Sequence, residues 1–141
     1  ANTLNGSTGN DTLAGGLGID ILTGGIGLDR FVFNSALGST NVDTITDFEH
    51  ASDKIVLDDD IFTALGVVGT TAGAALNPTT FYAAAGATAV HAATDRIIYN
   101  STSGQLYYDA DGLASTAAVQ IALIGVSTHA VLTSTDFLIA A

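Results

Sequence analysis

The sequence predicts an all-β chain that opens as a flattened stack of short strands. Three observations lead to this fold class. A nine-residue pattern of glycine, aspartate and one apolar residue recurs in the first part of the chain. Of the 14 acidic residues, all but Glu49 are Asp, which favours turns over helices. Polar and apolar residues then alternate within residues 41–57, as in strands with one buried face.

Length and composition restrict the classes of partner. A chain of 141 residues is about one domain, and its 48% of hydrophobic residues can supply a core. The formal net charge of −11 excludes nucleic acid as an expected partner, because nucleic acid needs a basic footprint. The strongest apolar stretch, residues 119–126, is far shorter than the ~20 residues that span a bilayer, so no membrane insertion is expected. The absence of Cys excludes disulfides and thiolate metal sites.

The repeat covers residues 6–32 as GSTGNDTLA, GGLGIDILT and GGIGLDRFV. Positions 1 and 4 of each unit are Gly, position 6 is Asp (Asp11, Asp20 and Asp29), and position 8 is large and apolar (Leu13, Leu22 and Phe31). Gly allows the tight turns, and the residues after the Asp can form one short strand with one inward side chain. Each unit is therefore predicted to be a turn plus a strand, and two units make one coil of 18 residues.

This spacing places carboxylates close together. Asp11 and Asp29 are 18 residues apart, so they lie on the same edge in successive coils, where strands are ~4.8 Å apart. Unneutralised carboxylates at that distance repel each other. A cation between them removes the conflict if backbone carbonyls complete its shell. Oxygen ligands in a flexible ring suit Ca²⁺ better than Mg²⁺ or zinc.

The pattern GGxGxDxUx resembles the calcium-binding nonapeptide of the repeats-in-toxin (RTX) family. A glycine-rich linker is the alternative, but a linker has no reason to keep Asp and Leu or Phe in a nine-residue register. The resemblance implies a parallel β-roll in which each Ca²⁺ bridges turns that are one coil apart. In the family, each of the two turns contributes two carbonyls and its Asp.

The resemblance also implies a ligand set for this chain. In one complete site, Ser7, Gly9 and Asp11 face Gly24, Ile26 and Asp29. Half of a second site consists of Gly16, Gly18 and Asp20. A fifth unit would have Gly38 at its Asp position, so the other half of this second site is expected from the chain just after Phe33.

Residues 41–57, NVDTITDFEHASDKIVL, resemble the DxIxDFxxxxDxI segment that commonly follows the last nonapeptide in RTX C-terminal domains, such as serralysin-like ones. This resemblance implies that Asp43 or Asp47 closes the last calcium site. The alternative is aspartates in solvent at a strand edge. The β-roll is expected over residues 1–40. A β-sandwich-like cap with a type I secretion signal at its end is expected over residues 41–141, in one continuous domain.

Local patterns predict the elements of the cap. Asp58–Asp60, followed by IFTAL, predict a helix N-terminus in preference to a cation site. Residues 66–93, rich in Gly, Ala and Thr, predict a loop or a variable insertion with little packing. Residues 96–100 and 105–109 predict a hairpin, residues 119–126 a buried strand, and residues 136–139 a last strand. Asp109 and Asp111 fit either a plain acidic turn or a cation loop.

Together these features predict a calcium-binding module that folds on extracellular Ca²⁺ after type I secretion, as the C-terminal fragment of a larger secreted bacterial protein. Calcium ions and the type I machinery are its expected partners, and a monomer is expected. The residues contain no catalytic constellation, so the fragment itself is not expected to be an enzyme. One alternative makes it the carrier domain of an exoenzyme, such as a hydrolase, whose catalytic part lies upstream. Another assigns the same β-roll as an adhesin or surface-layer binding module.

Overall fold

A computed structural model describes residues 1–66 and 70–141, and this part of the chain is all-β. Its strands are β1 (Thr3–Asn5), β2 (Thr12–Leu13), β3 (Ile21–Thr23), β4 (Arg30–Phe33), β5 (Asp43–Ile45), β6 (Lys54–Asp58), β7 (Ala74–Ala75), β8 (Phe81–Ala84), β9 (Ile97–Asn100), β10 (Gln105–Tyr108), β11 (Val119–Ile124) and β12 (Phe137–Ala140). The helical elements of the described residues are three-residue 3₁₀ turns at Thr63–Leu65, Pro78–Thr80 and Ser134–Asp136.

The first six strands alternate between two sheets. β1, β3 and β5 are neighbours in a seven-stranded sheet, and β2, β4 and β6 are neighbours in a five-stranded sheet. All of these neighbours pair in parallel. Thr12 pairs with Arg30, 18 residues later, which confirms that two repeat units separate neighbouring strands.

The later strands extend the same two sheets. β11 pairs in parallel with β5, and β10, β9 and β8 follow it in the seven-stranded sheet. β12 pairs in parallel with β6, and β7 closes the edge of the five-stranded sheet. The predicted hairpin is confirmed, because β9 and β10 pair antiparallel. Each sheet therefore contains strands from before and after residue 40.

The inward side chains of both sheets form one hydrophobic core. The apolar residue of each repeat unit is buried, with Leu13 4% exposed and Leu22 and Phe31 fully buried. Side chains from the later strands, such as Ile121 and Phe137, belong to the same cluster. Burial of a side chain of this size contributes about 1.5–3 kcal/mol, so the core carries much of the fold's stability.

Two local predictions are wrong. The helix expected after Asp58–Asp60 is only the 3₁₀ turn Thr63–Leu65, whose preceding residue makes no side-chain cap. Residues 66–93 are more than a loop, because β8 pairs in parallel with β9 and Leu76 is buried. In both segments, pairing with strands that are distant in the sequence sets the structure, because neither segment has a strong apolar pattern of its own. Residues 67–69 of this stretch lie outside the described part of the chain.

Within the described residues, no helix is both long enough and apolar enough to cross a lipid bilayer.

The Tyr99 hydroxyl is a buried polar contact of the cap, and it yields a stability prediction. Tyr99 is fully buried, and its hydroxyl donates to the carbonyl of Ala130 at 2.7 Å. Burial raises the pKa of Tyr99 to about 12. Tyr99→Phe should lower the free energy of unfolding by about 1 kcal/mol, because the hydrogen bond to the Ala130 carbonyl is lost. Urea unfolding measures the loss, with Tyr107→Phe at a half-buried position as the control. An unchanged midpoint for Tyr99→Phe would contradict it.

Candidate metal centre

The aspartates of the repeat form two rows along the edges of the sheets. The first, called here the Asp29 row, contains Asp11, Asp29 and Asp53. The backbone N–H of Asp11 donates to Asp29 Oδ1 at 2.9 Å, and that of Asp29 donates to Asp53 Oδ1 at 3.1 Å. The second, called here the Asp20 row, contains Asp20 and Asp43, where the Asp20 N–H donates to Asp43 Oδ1 at 3.0 Å. The carboxylates of Asp29, Asp43 and Asp53 thus each accept a bond from the backbone of the row member before them.

These bonds leave the second oxygens of the carboxylates inside the rows. Asp11 Oδ2, Asp20 Oδ2 and Asp29 Oδ2 are buried and have no hydrogen-bond partner among the described residues. A buried carboxylate oxygen without a partner is costly unless a donor or a cation compensates its charge. The hard, anionic oxygens are the type of donor that Ca²⁺ prefers. This chemistry fits the ion that the RTX resemblance implies.

Sterics explain why position 1 of each unit is glycine. A Cβ would lie 2.6 Å from Asp11 Oδ2 if added to Gly6, 2.7 Å from Asp20 Oδ2 if added to Gly15, and 2.5 Å from Asp29 Oδ2 if added to Gly24. Distances under 3.0 Å are essentially never seen for real Cβ atoms. Glycine at this position therefore leaves the space in which the unpartnered oxygen lies.

Backbone carbonyls also lie at the Asp29 row. Some of them accept backbone hydrogen bonds, and others pack against a glycine of the facing turn. The carbonyl oxygen of Gly24 lies 2.6 Å from the Cβ position of Gly6, as Asp11 Oδ2 does. The carbonyl of Ser7 accepts from Ile26 N at 3.0 Å, and that of Ile26 accepts from Gly9 N at 2.8 Å. The carbonyl of Gly9 lies against Gly27, at 1.8 Å from its Cβ position. The turn at residues 6–11 therefore faces the turn at residues 24–29, the two turns of the expected site.

The second position of each unit adopts positive φ. Ser7, Gly16 and Gly25 have φ of 77°, 81° and 96°. Gly has no penalty in this region, whereas Ser carries a modest strain. The turn geometry thus persists even where the unit deviates from Gly-Gly.

The end of the repeat differs between the two rows. Asp43 follows Asp20 by 23 residues and Asp53 follows Asp29 by 24, against 18 inside the repeat. Asn41 belongs to the same lengthened turn, because its Oδ1 accepts from Gly18 N at 2.7 Å. Asp43 therefore completes the Asp20 row from a turn that is five residues longer than the repeat.

Asp47 lies outside both rows. It is exposed, and its two oxygens accept from Gly24 N at 2.9 Å and from Gly25 N at 2.8 Å. Of the two residues expected to close the last site, the structure therefore brings Asp43 into a row and leaves Asp47 at the surface. Asp53 takes the place in the Asp29 row.

Asp53 is a row member that the sequence analysis missed. A signal was available, because Asp-x-apolar recurs at Asp29-Arg30-Phe31, Asp43-Thr44-Ile45 and Asp53-Lys54-Ile55. The register confirms the equivalence, since Phe31 pairs with Ile55. Matching this three-residue pattern, in place of the strict nine-residue count, identifies Asp53.

Burial and like charge raise the pKa values of Asp43 and Asp53, the last members of the two rows. Burial, followed by the nearby Asp20 charge, raises the pKa of Asp43 to about 6. Burial, with smaller contributions from Asp29 and Asp47, raises the pKa of Asp53. In both cases backbone N–H bonds act in the opposite direction. The rows therefore contain carboxylates whose ionised form the protein alone does not fully stabilise.

Other acidic groups have local contacts, although Asp111 Oδ1 is also buried without a hydrogen-bond partner among the described residues. Asp109 Oδ1 accepts from Asp111 N at 3.0 Å and Gly112 N at 2.7 Å, as in a plain acidic turn. Hydrogen bonds from Thr116 lower the pKa of Asp111. Asp58, Asp59 and Asp60 have carboxylate oxygens within 4.8 Å of one another, but acidic surface groups of this kind are common without an ion.

The histidines do not meet at one site. His50 Nδ1 lies 2.9 Å from the buried Asp136 carboxylate, His91 stacks on Tyr82, and His129 Nδ1 donates to Ile124 O at 2.8 Å. Each therefore has a separate local contact.

Gly15→Ala tests whether the Asp20 row is a cation site. The new Cβ would lie 2.7 Å from Asp20 Oδ2 and 2.9 Å from Asp43 Oδ2. Overpacking of this kind costs about 1–3 kcal/mol, and here it fills the space between the two carboxylates. We expect calorimetry to show the loss of one bound Ca²⁺ per chain. Gly38→Ala is the matched control, because nothing lies within 4 Å of its Cβ position. Unchanged calcium stoichiometry in Gly15→Ala would contradict the assignment.

Comparison with models of known protein families and with curated proteins gives no match to this chain.

Proposed function

We propose that this chain is a calcium-binding RTX module: a parallel β-roll, continued by a β-sandwich-like cap, that folds when it meets extracellular Ca²⁺. The observation that carries the proposal is the set of buried carboxylate oxygens without partners, at Asp11, Asp20 and Asp29. Their repetition at the same position of three successive units supports one shared role. The parallel pairing of β1, β3 and β5, and of β2, β4 and β6, supports the roll.

The residues assigned to the ion are the carboxylates of the two rows with the carbonyls beside them. In the Asp29 row these are Asp11 and Asp29, with Ser7, Gly9, Gly24 and Ile26 at the facing turns. In the Asp20 row they are Asp20 and Asp43, with Gly16 and Gly18. When bound, Ca²⁺ supplies positive charge that compensates the carboxylates. Extracellular calcium modules bind with dissociation constants of about 10⁻⁴–10⁻³ M, which suits a change between the inside and outside of a cell.

Coupled folding follows from the balance of charges. The chain has a formal net charge of −11, and its rows hold acids close together, so the ion-free chain repels itself. Glycine-rich turns add a high entropic cost of ordering. Because a preformed site is absent from an unfolded chain, the free energy of ion binding becomes free energy of folding. An unfolded chain inside the cell suits export through a type I channel, and we propose secretion by that route to the extracellular medium.

Far-UV circular dichroism during a calcium titration tests this function. We expect a gain of β signal with Ca²⁺, a much smaller gain with Mg²⁺, and a weaker response in Asp29→Ala. Asp60→Ala removes an exposed acid outside both rows and is the matched control. An ion-free chain that is already fully folded and does not respond to Ca²⁺ would overturn the proposal.

A second candidate function is adhesion on the same fold, and one observation favours it. Large apolar side chains occupy exposed positions of the repeat turns, with Leu17 72% and Ile26 76% exposed. Leu17 and Ile26 lie in the turns of different rows, and each turn has a second exposed apolar side chain, Ile19 at 54% and Leu28 at 57%. Neighbouring exposed apolar groups of this kind are typical of contact surfaces. Adhesion predicts that the folded protein is retained on cells or glycan supports, and that Leu17→Asn with Ile26→Asn releases it without changing the calcium response. Free passage of the folded wild type over these supports would reject this candidate.

A further inference from the structure

The Asn5–Gly6 peptide is a chemically reactive point of the sequence. In a mobile chain, the backbone nitrogen of the residue after an Asn can attack the side-chain Cγ. A new C–N bond forms, ammonia leaves, and a five-membered imide results. Water then opens the imide to give either Asp or isoaspartate. The reaction is fastest when the following residue is Gly, because no side chain hinders the attack.

In the folded chain, the nucleophile of this reaction, the backbone nitrogen of Gly6, is held in a hydrogen bond. Gly6 N–H donates to the carbonyl of Thr23 at 2.9 Å, and Asn5 pairs with Thr23 at the end of β1. Ring closure needs a backbone rotation at Asn5 that this pairing opposes. The Asn5 side chain itself is exposed, so water reaches it in either state. We propose that Asn5 is a deamidation site that is open in the unfolded chain and closed in the folded one.

The product has a consequence at the Asp29 row, and this half of the inference rests on the proposed function. Isoaspartate adds one methylene to the backbone directly before Gly6. The pairing of Asn5 with Thr23 and the bond from Gly6 N–H to Thr23 O fix the backbone on both sides of this methylene, so the lengthened chain has to move Gly6. Gly6 is closely surrounded, because Asp11 Oδ2 and Gly24 O both lie 2.6 Å from the position that a Cβ would take on it. An isoaspartate at position 5 therefore displaces the turn that carries Asp11. A chain that stays unfolded too long loses its first cation site.

The experiment ages the protein at mildly alkaline pH in three conditions: concentrated urea, buffer with Ca²⁺, and buffer with a chelator. Mass spectrometry of the tryptic peptide that ends at Arg30 gives the extent of deamidation, and fragmentation assigns it to Asn2, Asn5 or Asn10. Circular dichroism of each sample gives the folded fraction. Asn5→Gln is the unreactive control, since Gln forms the larger ring slowly. Asn5→Asp carries the charge of the product without its extra methylene.

We expect Asn5 in the folded sample to react at least about tenfold more slowly than in urea, a modest protection because β1 is an edge strand. Equal rates in urea and in a sample that circular dichroism shows to be folded would overturn the inference. If the chelated sample is folded and protected, the inference stands although calcium-coupled folding fails. Wild type aged in urea should then bind less Ca²⁺ than aged Asn5→Gln or fresh Asn5→Asp. Equal binding by all three would overturn the second half.

Discussion

Asp29→Asn is expected to have opposite effects on stability with and without calcium. Asp29 is 1% exposed, and its Oδ1 accepts from Asp11 N while its Oδ2 has no partner. Asn keeps an acceptor for the Asp11 N–H and removes the negative charge. Without Ca²⁺, the substitution relieves repulsion within the Asp29 row, so the free energy of unfolding should rise. With Ca²⁺ at 100 times the dissociation constant, the loss of one site should lower it by about 2.7 kcal/mol.

Urea unfolding in matched buffers, one with calcium and one with a chelator, measures both signs. If the chelated chain is unfolded, sulfate can stabilise its compact state in that arm without a divalent cation. Asp60→Asn makes the same change of charge at an exposed position and should have a small effect in both buffers. A decrease of equal size in both buffers would mean that Asp29 only supports the backbone of Asp11.

The second large effect is the pH dependence of the ion-free protein. Burial and the Asp20 charge raise the pKa of Asp43 from 3.8 to about 6. The folded state therefore binds this proton more tightly than the unfolded state. The resulting stability is fully present below pH 3.8 and is lost as the pH rises through about 6. The loss is up to about 3 kcal/mol, and the raised pKa of Asp53 acts in the same direction.

Chemical unfolding of the chelated protein between pH 4 and pH 7, with sulfate present at constant concentration to stabilise its compact state, should show this decline. Asp43→Asn should remove most of it, because an amide does not titrate. Asp111→Asn is the control, since hydrogen bonds from Thr116 lower the pKa of that carboxyl and its effect lies at lower pH. Saturating Ca²⁺ should abolish the decline, because the ion binds the deprotonated carboxylates. A flat profile for the chelated wild type would show that Asp43 is ionised at little cost.

Within the repeat, the local sequence pattern is enough to predict the structure. The period of nine residues predicts that Asp11 and Asp29 are neighbours and that Leu13, Leu22 and Phe31 point inward, and the structure confirms both. Local chemistry suffices here, because Gly, Asp and one apolar residue recur in every turn and strand. A parallel ladder then follows from repetition alone.

Beyond the repeat, tertiary contacts determine which aspartates become neighbours. Counting 18 residues from Asp29 leads to Asp47, but the Asp29 row contains Asp53. The reason is that core packing sets the register. Ile55 pairs with Phe31 in the core, and the extra residues between β4 and β6 are accommodated in the turns. Counting from Asp20 leads in the same way to Gly38, where the structure has Asp43.

The same distinction explains the cap. β9 is buried along its whole length, so it needs neighbours on both sides, and β8 from the Ala-rich stretch becomes one of them. No local pattern in residues 81–84 requires a strand there. The amino-acid sequence by itself determined the all-β class, the repeat, and the carboxylates of the repeat that lie close enough to repel one another. Only the tertiary structure decided which aspartates complete each row, because burying the apolar side chains of the two sheets sets the register of every strand after the repeat.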